Sequence, residues 1–217
     1  MGSLISGLIL IGICGPLNSQ ITFTDVTDQT GITFVHTDGG CGKYYIVEYV
    51  CCGLALFDYD NDGDEDIYFL NGRPLCGKDK GKKPRNELWR NDGNWHFTNV
   101  TDEAGVGDSG HALGVACADY DNDGWLDIYI NNFGPNVLYH NNGDGTFTDV
   151  TEYAAVGNGN RVGAGVCFFD MDNDGDLDLY VSNYIKFSFE KHIPRTRMGY
   201  PIYPSPRDYD PDPDTLY

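Results

Sequence analysis

The sequence is short of positive charge: 14 Lys and Arg stand against 33 Asp and Glu, giving a formal net charge of −19 at pH 7. A surface that acidic repels phosphate backbones and anionic headgroups, which excludes nucleic acid and acidic membranes as partners. Long apolar runs are lacking too. The longest, Leu4 to Ile13, is too short for a membrane span and reads as the apolar core of a signal peptide over residues 1–19, though Met-Gly-Ser before it carries no Lys or Arg. Sustained helical periodicity is absent, whereas Gly (28) and Tyr (15) are abundant. The chain therefore reads as all-β and rich in turns.

Catalytic signatures are also missing. There is no phosphate-cradling glycine loop or dinucleotide fingerprint, and the histidines His36, His96, His111, His140 and His192 form no i,i+4 metal pair. Gly107-Asp108-Ser109-Gly110-His111 has the outline of a nucleophile turn. It lies in a polar connection with no flanking motif, so it reads as a loop and the chain as a non-enzyme rather than a hydrolase.

What is present is a nine-residue acidic loop in three copies: Asp58 to Asp66 (DYDNDGDED), Asp119 to Asp127 (DYDNDGWLD) and Asp170 to Asp178 (DMDNDGDLD). Carboxylates at alternate positions would splay apart on a strand, but a tight turn at Asn-Asp-Gly folds them back around one point. Two such charges about 4 Å apart repel by roughly 4 kcal/mol at an effective dielectric near 20, so the loops require a cation. No Cys or His occurs inside any copy, which argues for a hard ion held by oxygen, and Ca2+ suits about three such sites. The expected ligands are Asp58, Asp60, Asp62, the carbonyl of Asp64 and Asp66; Asp119, Asp121, Asp123, the carbonyl of Trp125 and Asp127; and Asp170, Asp172, Asp174, the carbonyl of Asp176 and Asp178. An EF-hand would need Glu at position twelve, where Phe69, Ile130 and Val181 stand. The flanking β-branched and aromatic runs predict strands on both sides, and solvated turns that bind nothing are a poor account of three identical copies.

Two further pieces recur. FT(D/N)VT appears at Phe23, Phe97 and Phe147, and an Asn-x-Leu-(Trp/Tyr) piece followed by a glycine turn appears at Asn86 and Asn136. Each unit then reads as four strands, which is how propeller blades look in sequence, with a solenoid as the alternative. Blades are expected near residues 52–101, 112–151 and 162–217, the last without its fourth strand, in an incomplete ring of about three blades spanning 20–217. The spare copy, Phe23, Thr24, Asp25, Val26 and Thr27, could complete that blade in a neighbouring molecule and drive head-to-tail self-association into a filament. A basic insertion, Arg73 to Arg85, reads as a solvated loop, and Lys186 to Asp214 as an arm on the surface. Setting Cys14 aside with the signal, Cys41, Cys51, Cys52 and Cys76 are the disulfide candidates, with Cys117 and Cys167 read as core residues. Asn99-Val100-Thr101 is a glycosylation sequon.

The stretches GLALFDYDNDGDEDIYFLNG (from Gly53), GVACADYDNDGWLDIYINNFGPNVLYHNNGDGTFTDVTEYAAVG (from Gly114) and GAGVCFFDMDNDGDLDLYVSNY (from Gly163) resemble the FG-GAP/VCBS-type repeat family, in the branch of cartilage acidic protein and its bacterial relatives. The resemblance implies a secreted or cell-surface β-propeller similar to that of integrin α-subunits, with calcium in the Asp loops. It also implies a structural or adhesive role, or recognition of an extracellular protein or glycan ligand.

Overall fold

The computed structural model describes residues 22–76 and 83–217, so the expected signal segment and part of the basic insertion lie outside the described residues. Short alternating runs become strands. In Asp66–Phe69 every second residue is buried, and Tyr68 is fully enclosed. The first blade is the antiparallel meander β1 (Leu54–Phe57), β2 (Asp66–Phe69), β3 (Glu87–Asn91) and β4 (Phe97–Asn99). The second repeats it with β5 (His111–Ala118), β6 (Asp127–Gly134), β7 (Val137–Asn141) and β8 (Phe147–Asp149). In the third, β9 (Arg161–Phe169) pairs with β10 (Asp178–Asn183). The chain then makes a small hairpin, β11 (Arg195–Arg197) with β12 (Tyr200–Ile202), and returns so that β13 (Thr215–Leu216) pairs with β10. The protein is thus nearly all-β, built from repeated antiparallel blades in an open array that does not close into a ring.

Blades stack face to face because each sheet has apolar residues on both sides. Phe57, Tyr68 and Leu88 of the first blade meet Ala112, Ile128 and Ile130 of the second in one buried cluster, and Tyr129 and Leu138 meet Leu179 and Val181 in another. The buried Tyr68 and Tyr129 hydroxyls each find a backbone acceptor, Val106 O and Val156 O, both at 2.7 Å. A third cluster lies at the strand ends remote from the acidic loops. There a 3-10 turn, Ile46–Tyr49, packs with Leu113, Phe133, Val162, Ile185 and Phe187.

Several expectations need correction. FT(D/N)VT is not a strand throughout: β4 and β8 stop at Asn99 and Asp149, and the following Thr opens a one-turn helix, α2 (Thr101–Ala104) or α3 (Thr151–Ala154). The cause is local. The Asn99 side-chain oxygen Oδ1 accepts from the amide and hydroxyl of Thr101 at 3.1 and 2.7 Å, and the Asp149 carboxylate does the same for Thr151 at 3.0 and 2.6 Å. In the spare copy the same turn forms between Asp25 and Thr27, and α1 (Thr27–Thr30) follows. Phe23, Thr24, Asp25 and Val26, however, are not in a strand, because among the described residues no third strand lies beside them to complete a ladder; Phe23 is 99% exposed.

Of the disulfide candidates, Cys41 and Cys76 are bonded, while Cys51 and Cys52 are free thiols. Cys51 is turned into the core, where its thiol reaches Thr37 O at 3.6 Å, and Cys52 faces solvent, so their side chains diverge. Cys117 packs against the first core cluster, but Cys167 is exposed on β9.

Candidate metal centre

The three acidic loops join β1 to β2, β5 to β6 and β9 to β10, which places them at the same end of their blades. Each is folded by its own carboxylates. The position-one Asp accepts from two loop amides: Asp58 from Asp62 N and Gly63 N at 3.1 and 2.9 Å, Asp119 from Asp123 N and Gly124 N at 2.9 Å each, and Asp170 from Asp174 N and Gly175 N at 3.2 and 3.1 Å. Position five accepts from the amide of position seven, as in Asp62 with Asp64 N, Asp123 with Trp125 N and Asp174 with Asp176 N. The turn needs left-handed backbone twice. Gly63, Gly124 and Gly175 have φ of 94, 90 and 97°, and Asn61, Asn122 and Asn173 adopt 57, 60 and 60°, a conformation that Asn tolerates better than most side chains.

Position nine closes each loop. Asp66 and Asp127 are fully buried at the start of β2 and β6. One oxygen of each accepts from inside the loop (Tyr59 N at 3.0 Å, Tyr120 N at 3.2 Å) and the other from the third strand (Asn91 N and Asn141 N, both at 2.8 Å). Burial pushes both carboxyls up to about 6, against the opposing pull of those amide bonds. Asp60 is raised as well, by burial and then by Asp62 and Asp58 beside it.

The side chains converge in subsets of the expected ligands. Carboxylate oxygens of Asp58, Asp60 and Asp62 lie within 4.8 Å of one another, as do those of Asp119, Asp121 and Asp127, and those of Asp170, Asp172 and Asp178. The side chains of Asp64, Asp66, Asp174 and Asp176 join no such group, the expected donors of Asp64 and Asp176 being their backbone carbonyls, and Asp66 accepts from two backbone amides just as Asp127 does. Asp123 converges with Asp121 and the imidazole of His140, whose Nδ1 sits 3.3 Å from both Asp121 and Asp127. Sequence reading passed over His140; its signal was its register on the third strand, where the first blade carries Arg90 near Asp60. Asp60 Oδ1 is buried without a hydrogen-bond partner, as expected of an atom positioned for a cation. Oxygen donors predominate, so the residues fit Ca2+.

Position four has a role that spacing did not reveal. Asn61 donates to Gly124 O of the next loop at 3.1 Å, and Asn122 donates to Gly175 O of the one after at 3.4 Å. The loops are therefore linked into one row.

Other candidates fall outside this row. His111 is fully buried with both ring nitrogens engaged: Nε2 donates to Val47 O at 3.1 Å and Nδ1 accepts from Arg73 N at 3.2 Å, so it cannot serve Ser109 as a base. The Asn99 amide of the sequon is half-buried, donating to Glu87 at 2.9 Å while its oxygen caps Thr101.

Comparison with known proteins gives a family match. The family described as "FG-GAP-like repeat" matches residues 58–130 and 119–181. No curated protein matches. Among solved structures, a lectin of Agrocybe aegerita described for its recognition of non-reducing terminal N-acetylglucosamine is 23% identical, with a TM-score of 0.36; the match covers 60% of this chain and 33% of that one.

Proposed function

The chain belongs to the FG-GAP-like repeat family, and on that premise we propose that it is an extracellular, calcium-organised β-repeat module with a structural or adhesive role. The observation that carries this reading is the row of three acidic loops, linked by Asn61 and Asn122, with three carboxylates converging in each. Bound Ca2+ would be held by Asp58, Asp60 and Asp62, by Asp119, Asp121 and Asp127, and by Asp170, Asp172 and Asp178. The ion supplies the positive charge that lets these carboxylates stay together. A module stiffened in this way recognises an extracellular protein or glycan and carries out no chemistry on it. Titrating calcium into the chelated protein by calorimetry should show saturable binding that falls by about three ions when Asp58, Asp119 and Asp170 are all changed to Asn. Heat no greater than that of dilution in the unaltered protein would refute the reading.

A second role, self-association, is favoured by one feature. The Phe23 to Thr27 segment has the same turn as the paired copies, yet its Phe23 is bare where Phe147 is 8% exposed. Sedimentation of a chain lacking residues 20–27 should show smaller species than the parent; equal sizes would remove this role.

A further inference from the structure

Away from the acidic loops, on the side of the third core cluster, the 3-10 turn Ile46–Tyr49 carries a carboxylate into the protein. Glu48 is only 3% exposed. Its Oε2 accepts from the Tyr203 hydroxyl at 3.0 Å, and its Oε1 is buried with no partner. Among the described residues, no Lys, Arg or His nitrogen forms an ion pair with Glu48 or with Asp38. A buried carboxylate needs either a cation or full hydrogen bonding, and Glu48 has neither.

A second carboxylate faces it across a glycine. Asp38 is exposed, and its Oδ1 accepts from Gly40 N at 2.8 Å. A methyl group placed on Gly40 would lie 3.1 and 3.3 Å from the two Asp38 oxygens and 3.3 Å from Glu48 Oε2. Three carboxylate oxygens from two residues thus surround the space a side chain would fill. The segment that carries them is fastened by the Cys41–Cys76 disulfide.

We propose that Asp38 and Glu48 bind a hard divalent cation such as Ca2+ in the cradle over Gly40, at a site separate from the acidic loops. The donors are all oxygen, which selects a hard ion. An organic cation is disfavoured because the neighbouring rings are engaged with one another: Tyr203 packs edge to face on Tyr44 and Tyr49 at 5.2 and 5.0 Å. Exposed Asp38 provides the way in and buried Glu48 the floor. Since Glu48 is also bonded to Tyr203, the ion fastens the arm between β10 and β13 to the segment around residues 38–48.

The test is a count of bound calcium by equilibrium dialysis, on the full chain and on Asp38→Asn, Glu48→Gln and Gly40→Ala variants. Each variant should bind one equivalent fewer than the parent. Asp38→Asn decides if Glu48→Gln fails to fold, because Asp38 is exposed and Asn can still accept from Gly40 N. An unchanged count in folded Asp38→Asn would overturn the proposal. The result is distinguishable from failure of the loop reading. If the loops bound nothing, the parent would hold a single equivalent that Asp38→Asn abolishes; if the cradle bound nothing, only the loop variants would lose ions.

Discussion

Asp121→Asn should change stability in opposite directions with and without calcium. Asp121 converges with Asp119 and Asp127 within 4.8 Å, and no backbone amide bonds its carboxylate, so apart from its 3.3 Å contact with His140 Nδ1 the substitution removes charge and little else. At that separation each pair of like charges costs about 3.5 kcal/mol at an effective dielectric near 20. Its side chain is 35% exposed, so solvent screening leaves roughly 1 kcal/mol to be relieved. In a chain of this size that amounts to a rise in Tm of about 2–4 °C in excess chelator. With calcium present the sign reverses. Losing one ligand oxygen and its charge weakens binding, and each tenfold loss of affinity lowers the stability of the saturated protein by about 1.4 kcal/mol, or about 3–6 °C. Thermal unfolding of parent and variant, each with chelator and with excess calcium, measures both shifts. A shift of the same sign in the two conditions would refute the reasoning, because a purely structural residue does not know whether the ion is there.

Three other outcomes are expected. Tyr129→Phe leaves the buried Val156 carbonyl and Asn136 amide without their hydroxyl partner and should cost about 1–3 kcal/mol in urea unfolding; a change below a few tenths would mean the hydroxyl is replaceable. Asn122→Ala breaks the link from the second loop to the third, so calcium should bind these loops with reduced coupling, visible as a shallower titration, whereas an unaltered curve would show that the link is passive. Burial lowers the pKa of His111 below 6.5 in the folded state. As pH falls through about 6.5 the unfolded chain takes up a proton that the native protein resists, so stability falls in that direction. The difference in unfolding midpoint between parent and His111→Gln should therefore shrink from pH 7.5 to pH 5; a constant difference would contradict a neutral buried imidazole.

The acidic loops were legible because almost everything that shapes them is local. The position-one and position-five carboxylates bond to amides two to five residues on, and position nine reaches back seven. Such contacts depend on spacing alone. The one-turn helices escaped notice because four residues carry no apolar period, although the Asp or Asn two residues before each Thr was a usable sign. His140, by contrast, reaches the second loop from the third strand, and only antiparallel pairing puts it there.

By itself, the sequence determined the β-repeat, the position of each acidic turn and the carboxylate character of its side chains, since these follow from alternation, short-range hydrogen bonding and the chemistry of Asp. Tertiary structure decided which cysteines meet, how Asn61 reaches a carbonyl 63 residues away and how Tyr203 reaches Glu48 across 155. Those partners are set by how blades stack and how the arm folds back. Chain spacing carries no trace of such contacts, because the packing of whole sheets brings them together.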